Sequence, residues 1–244
     1  MLASFVAAVR FLTRLPVPGP PTRGDQISRS VGWFPLVGAL VGLATAGVHV
    51  LGLGLWPAPL AAVLAVAFGL MLTGGFHEDG ATDAADGLGG GWTRERMLEI
   101  MKDSRIGAYG AMALWVLLSF RWAALVALDR RALLALPLAM AWGRWSSGAL
   151  IATLPPLGQG LAKEVSHDLG RGPLLGSCLL LVVLNLLAMR LGMHDLWRPA
   201  AAAGITILAW GAYLRQSLGG QSGDLLGAGN QLVEAAVLLT LLAK

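Results

Sequence analysis

Residues 74–91 read GGFHEDGATDAADGLGGG and follow directly on the apolar run APLAAVLAVAFGLMLTG. His77, Glu78, Asp79, Asp83 and Asp86 fall within ten positions. Mutual repulsion and desolvation both oppose such a cluster unless a positive charge offsets them. If residues 77–88 extend the preceding helix past the membrane surface, a turn of about 100° per residue puts Asp79, Asp83 and Asp86 within roughly 60° of one another. Three carboxylates then share one face, and like charges four residues apart destabilise a helix. Hard oxygen ligands at this density suit Mg²⁺ or Mn²⁺. Glu78 points to a different face. The plainer alternative is a solvated acidic surface with no ligand. His77 is open to three readings: general base, metal ligand, or support for a ligand.

The next stretch, MLEIMKDSRIGAYG at 97–110, adds Asp103 to the acids and brings Lys102 and Arg105 beside them. Acids that hold a metal next to bases that hold phosphate are the parts of a phosphoryl-transfer site. Residues 77–107 contain seven acids and four bases, an excess that one or two divalent ions would offset. A third stretch, LGGQSGDLLGAGN at 218–230, offers Gly220, Gln221, Ser222 and Asp224 as a cradle for phosphate or base, or makes a simple re-entrant turn. Arg144 sits inside an apolar run. Charge at that depth is a functional hypothesis by default, with pyrophosphate as one partner and an acid on another helix as the alternative. Glu234, in the last apolar run, could be that acid, or a metal or base residue. Asn185 reads as helix–helix glue.

These residues need an apolar frame. Of 244 residues, 56% are hydrophobic and 13% charged, with a mean hydropathy of +0.67. Soluble domains carry about a quarter charged residues, so the composition specifies a membrane protein. Runs of the ~20 residues needed to span a bilayer occur near 33–55, 57–76, 108–128, 132–154, 173–191 and 199–218, with a shorter one near 231–243. They are continuous rather than alternating, which excludes a β-barrel. The expectation is one all-α domain over residues 1–244, a polytopic bundle of six to seven transmembrane helices. An amphipathic helix precedes it, ending in the prolines at 16, 18, 20 and 21, and lies in the interface. Cys178 is the only cysteine, so no disulfide framework exists. The sequence pI is near 9.8, but the basic residues form no stripe, which argues against nucleic acid. With seven alternating helices and the N-terminus in the cytoplasm, eleven Lys and Arg fall on inside segments and five outside. That asymmetry places the acidic loop on the cytoplasmic face of the inner membrane. Oligomeric state stays open.

The pattern H-x-D-G-x-x-D-x-x-D-G from His77 to Gly87, followed by LEIMKDSRIGAYG, resembles the cobalamin synthase family (adenosylcobinamide-GDP ribazoletransferase). So do FLTRLPVP at 11–18, FPLVG at 34–38 and GGQSGDLLGA at 219–228. Glu78 departs from the pattern, where an apolar residue is expected. The resemblance implies a Mg²⁺-dependent membrane phosphotransferase that joins adenosylcobinamide-GDP to α-ribazole or its 5′-phosphate and releases GMP. It implies Asp79, Asp83, Asp86 and Asp103 as metal ligands, Lys102, Arg105 and Arg144 on phosphates, and Asp86 or His77 as proton acceptor. It places Gly220, Gln221, Ser222 and Asp224 against nucleotide or corrinoid. Two other classes fit less well. A transporter would show internal repeats and a midplane site. A CDP-alcohol phosphatidyltransferase spreads its later aspartates further apart than D-G-A-T-D-A-A-D-G does.

Overall fold

A computed structural model describes residues 1–22, 24–158, 165 and 169–243. Arg23, Lys163 and Lys244, three of the charges counted for topology, lie outside the described residues. Helix α1 (Leu2–Leu12) is followed by α2 (Gly24–Ser30), which runs through a 3₁₀ turn into α3 (Phe34–Gly52). Then come α4 (Ala58–Thr73), α5 (Phe76–Gly90), the short α6 (Arg94–Ile100) and α7 (Ala108–Leu128). The chain closes with α8 (Ala132–Thr153), α9 (Arg171–Arg190), α10 (Trp197–Ser217) and α11 (Gly223–Leu242). The protein is an all-α, multi-pass membrane bundle.

Among the described residues, four helical stretches can cross a bilayer by length and apolar composition: Gly24–Gly52, Ala108–Thr153, Arg171–Arg190 and Gly223–Leu242. Counting α4 and α5 together as one bent span gives five. The six to seven crossings expected from the runs are counted differently for two reasons. Ala108–Thr153 has 46 residues, about 69 Å of helix, and is divided where Asp129 takes φ 51°, so it holds both α7 and α8. Conversely α10, with Arg198, Pro199, Arg215 and Gln216 in its length, is not among the qualifying stretches.

Close approach of backbones sets the packing. Gly38 and Gly42 stand four residues apart on α3 and face α8, the small-residue spacing that lets membrane helices touch. A Cβ on Gly42 would sit 2.7 Å from the Leu136 carbonyl oxygen and from Pro137 Cα. The sharpest departure from expectation is at α4–α5. The acidic helix does not continue α4: the two meet at 90°, because Gly74 and Gly75 both adopt left-handed backbone, φ 73° and 67°, the conformation glycine accepts without penalty. The last helix is longer than its apolar run suggests. Ser222 caps it through a 3.4 Å bond from Leu225 N–H, so GDLLGAGN forms helix rather than a re-entrant turn.

After the bend, α5 runs between α7 and α11. Gly227 packs on His77, and Gly80 packs on the Asp224 backbone. A charged helix enters an apolar bundle here, and a buried network makes that possible. Arg121 of α7 donates to Glu78 Oε1 at 2.5 Å, to Gln231 at 2.6 Å and to Glu234 at 3.1 Å. The second Glu234 oxygen pairs with Arg144 of α8. All four charged side chains are no more than 8% exposed. Two acids and two bases cancel, and four helices are tied to one knot. Asn185, by contrast, bonds the Leu181 carbonyl of its own helix rather than another helix.

Denaturant or thermal unfolding in detergent reads the stability that these contacts give. Gly42→Ala forces α3 off α8 and destabilises the protein by about 1–3 kcal/mol. Gly47→Ala, whose Cβ meets nothing within 4 Å, gains about 0.5–1 kcal/mol of helix propensity. Removing one charge from the knot costs more: Arg121→Met leaves Glu78 without its partner and Glu234 with Arg144 alone, a loss of about 3–5 kcal/mol. Adding Glu78→Leu to Arg121→Met restores part of it, and strictly additive single and double mutants would show that the pair is not coupled.

Candidate active site

The contacts along α5 fix its depth. Glu78 reaches Arg121 well inside α7, Gly80 meets Asp224 at the start of α11, and Asp86 meets Gly107 and Gly110 at the start of α7. From Asp83 onward the helix therefore lies at the polar end of the bundle, past the first residues of the spans. Asp86 is buried there, and its two oxygens accept N–H bonds from Gly107 at 2.7 Å and Gly110 at 2.8 Å. It caps α7 from outside, satisfying two of the orphan donors of a helix N-terminus. Asp86 was expected as metal ligand or base; the structure gives both its oxygens this anchoring contact.

Asp79 is exposed and Asp83 half-buried. Both line an open groove of about 650 Å³ between α5, the end of α4, α7 and the 104–106 loop. The Asp83 carboxyl is pushed up to about 6, first by partial burial and then by the charges of Asp79, Asp224 and Asp86. Among the described residues no salt bridge reaches Asp79, Asp83 or Asp224. The site is thus an uncompensated pool of carboxylate oxygen, and that donor chemistry suits a hard divalent cation. The side chains stand apart: among the described residues no three His, Cys, Asp or Glu converge on one metal position.

On the other side of α5 lies a cavity of about 370 Å³. Its walls come from α1, α3, α5, α6, α8, the 156–158 segment and the start of α11. His77, Lys102, Gln221, Ser222 and Asp224 all line it. The turn before α11 is held by a two-residue ladder, Gln221 N–H to Pro155 O and Leu157 N–H to Gln221 O, both 2.8 Å. Gly220 is buried under that ladder, where a Cβ would strike the Pro155 carbonyl.

The structure therefore brings His77, Lys102 and the 220–224 turn to one cavity, and Asp79 and Asp83 to an adjoining groove, with Asp224 between. Other candidates stand apart. Asp103 forms a two-pronged pair with Arg105, at 2.6–3.2 Å, in an exposed loop; the hydrogen bonds from Arg105 hold its carboxyl down to about 2. Arg144 is 2% exposed and paired with Glu234, the interhelical reading rather than contact with a surface-bound pyrophosphate. Sequence reasoning set Asp224 apart from the carboxylates and gave Arg121 no role. The available signal was charge balance: two bases, Arg121 and Arg144, lie within apolar runs that offer few acids to neutralise them.

With this geometry in place, the likeness to known proteins is informative. Residues 4–242 match the cobalamin-5-phosphate synthase family. The chain is 35% identical to the adenosylcobinamide-GDP ribazoletransferase of Shewanella frigidimarina, 39% to that of Chlorobaculum tepidum and 41% to that of Leptothrix cholodnii. Each comparison covers 98% of this chain and 94% of the relative. No solved structure matches the chain. Since the match runs through the acidic helix, the buried network and the 220–224 turn alike, the chain belongs to the cobalamin-5-phosphate synthase family.

Proposed function

We propose that this membrane transferase joins adenosylcobinamide-GDP to α-ribazole, or to its 5′-phosphate, with release of GMP in a Mg²⁺-dependent reaction. The observation that carries the reading is the set of carboxylates, Asp79, Asp83 and Asp224, that no salt bridge among the described residues reaches, near the crossing of α5 and α11 and beside a largely apolar cavity. The names of the relatives supply the substrate class, and the transfer chemistry accounts for the parts. A hydroxyl of the acceptor attacks the phosphorus on the cobinamide side. A new P–O bond forms, the P–O bond to the GMP phosphate breaks, and GMP leaves with the bonding pair. The hydroxyl proton passes to a base. His77 suits that role, since it lines the cavity and its Nδ1 has no hydrogen-bond partner among the described residues.

Asp79, Asp83 and Asp224 would hold the divalent ion, which when bound neutralises charge on the diphosphate. Lys102, exposed at the cavity rim, adds a mobile positive charge for the phosphates. Asp86 keeps α7 and α5 in register, and the Asp103–Arg105 pair shapes the loop that borders the groove. The charge asymmetry of the loops orients this end toward the cytoplasm, in the inner membrane, where a bulky soluble donor arrives.

The test is GMP release by the purified chain in liposomes, with both substrates and with Mg²⁺ or a chelator. The expected result is cobalamin product and GMP that require Mg²⁺, with Asp83→Asn and Asp224→Asn each reduced at least 100-fold. Asn185→Leu, remote from the site, keeps wild-type rates. Absence of product from folded wild-type protein refutes the reaction. Full activity of Asp83→Asn keeps the reaction and removes the metal from this face.

A further inference from the structure

The cavity has a chemical character of its own. Its wall is largely apolar and includes Phe11, Phe34, Phe76, Leu98, Met101 and Ile151. Two residues that line it carry buried polar atoms with no partner among the described residues: His77 Nδ1 and both amide atoms of Gln221. His77 is 3% exposed and Gln221 is 0% exposed. A buried donor or acceptor left unpaired costs about 1–3 kcal/mol, and native proteins rarely leave several together. Three such atoms on one largely apolar cavity are accounted for if a ligand completes them.

Size and polarity then select the ligand. A cavity of about 370 Å³ stands at the small end of ligand pockets, which run from about 300 to 1,000 Å³. A corrin plate does not enter. Guanine would enter only by burying a donor- and acceptor-rich edge against phenylalanine and aliphatic side chains. A bicyclic aromatic base with an apolar edge and one free ring nitrogen fits better. Its faces suit the phenylalanines, its nitrogen suits the Gln221 amide, and the hydroxyls of its sugar suit His77. Asp224 lines this cavity, and its charge acts on Asp83, which faces the groove. A nucleoside seated base-inward therefore presents its sugar end to the carboxylates.

We infer that this cavity is the acceptor subsite: it holds the apolar aromatic base of the acceptor nucleoside, with Gln221 on the base and His77 on the sugar, while the donor diphosphate occupies the acidic groove across α5. The inference rests on the transfer reaction proposed above. It divides the two substrates between the two faces of one helix.

Equilibrium dialysis with the full-length chain in detergent tests it, using α-ribazole, free 5,6-dimethylbenzimidazole and guanosine as probes, without donor. α-Ribazole binds wild type, dimethylbenzimidazole competes with it, and guanosine does not. Ser147→Phe fills the cavity, whose wall includes Ser147, and Gln221→Leu removes the amide at nearly constant volume. Each weakens acceptor binding at least tenfold and leaves the donor KM within twofold. If Ser147→Phe does not fold, Gln221→Leu decides alone. Wild-type acceptor affinity in the folded variants, or displacement of α-ribazole by guanosine, overturns the assignment. Should wild type transfer normally while those variants bind normally, the reaction stands and only this subsite fails. Loss of both binding and transfer in wild type removes the reaction as well.

Discussion

The arrangement depends on neutralising charge at a depth where water cannot do it. Helix α5 carries five ionisable side chains in fifteen residues, yet it enters the bundle between α7 and α11. An uncompensated carboxylate there would be protonated or expelled. Arg121 and Arg144, answered by Glu78 and Glu234, make a closed set of two positive and two negative groups, with Gln231 taking a further guanidinium hydrogen. Replacing such a set with apolar residues is often neutral for stability, whereas breaking it is costly. Its value here is positional. It fixes the rotation of α5, and that rotation decides which aspartates face outward.

Rotation matters because the two faces of α5 border different spaces. Seen from the knot, His77 and Gly80 turn toward α11 and the cavity, while Asp79 and Asp83 turn toward the groove. Glycine at 80 lets the Asp224 backbone approach until a Cβ would be only 3.0 Å away, which brings a carboxylate from α11 to the aspartates of α5. Asp86, one turn further on, is drawn out of the acidic face by two amide hydrogens at the start of α7. Each anchor sits at a different height, so the helix can neither slide nor turn without breaking one of them.

Much of this was legible in the sequence, for reasons that can be named. Continuous apolar runs near 20 residues report helices directly, because bilayer thickness sets their length. The acid spacing within α5 reported a shared face, since that depends only on helical period. The direction of the helix did not show. Two adjacent glycines signal flexibility, and only their left-handed backbone, with Arg14 packed on Gly74, turns the chain by 90°. The start of α11 was hidden by its own polarity: Gly223, Asp224 and Asn230 read as loop, although they form the first turns of a helix whose apolar part comes later. Pairing was equally out of reach. Arg121 and Glu78 are 43 residues apart and Arg121 and Glu234 are 113 apart, and no local pattern connects them.

The same distinction separates the parts of the site. Residues near one another in the chain, such as Asp79 and Asp83, are visible as a group because the helix brings them together. Asp224 joins them only through tertiary packing, and its turn is held by the Pro155–Leu157 segment rather than by its neighbours in sequence. Partial burial, and then the charges of these acids together, hold the Asp83 carboxyl above the ordinary carboxylate range. Charges gathered at the rim of an apolar bundle interact more strongly than in water. A fold that places acids at the edge of low dielectric, anchored from within by neutral pairs, thus obtains strong electrostatics without burying net charge. That balance explains why the chemistry-bearing residues lie at one end of the bundle while the residues that hold them lie deep inside it.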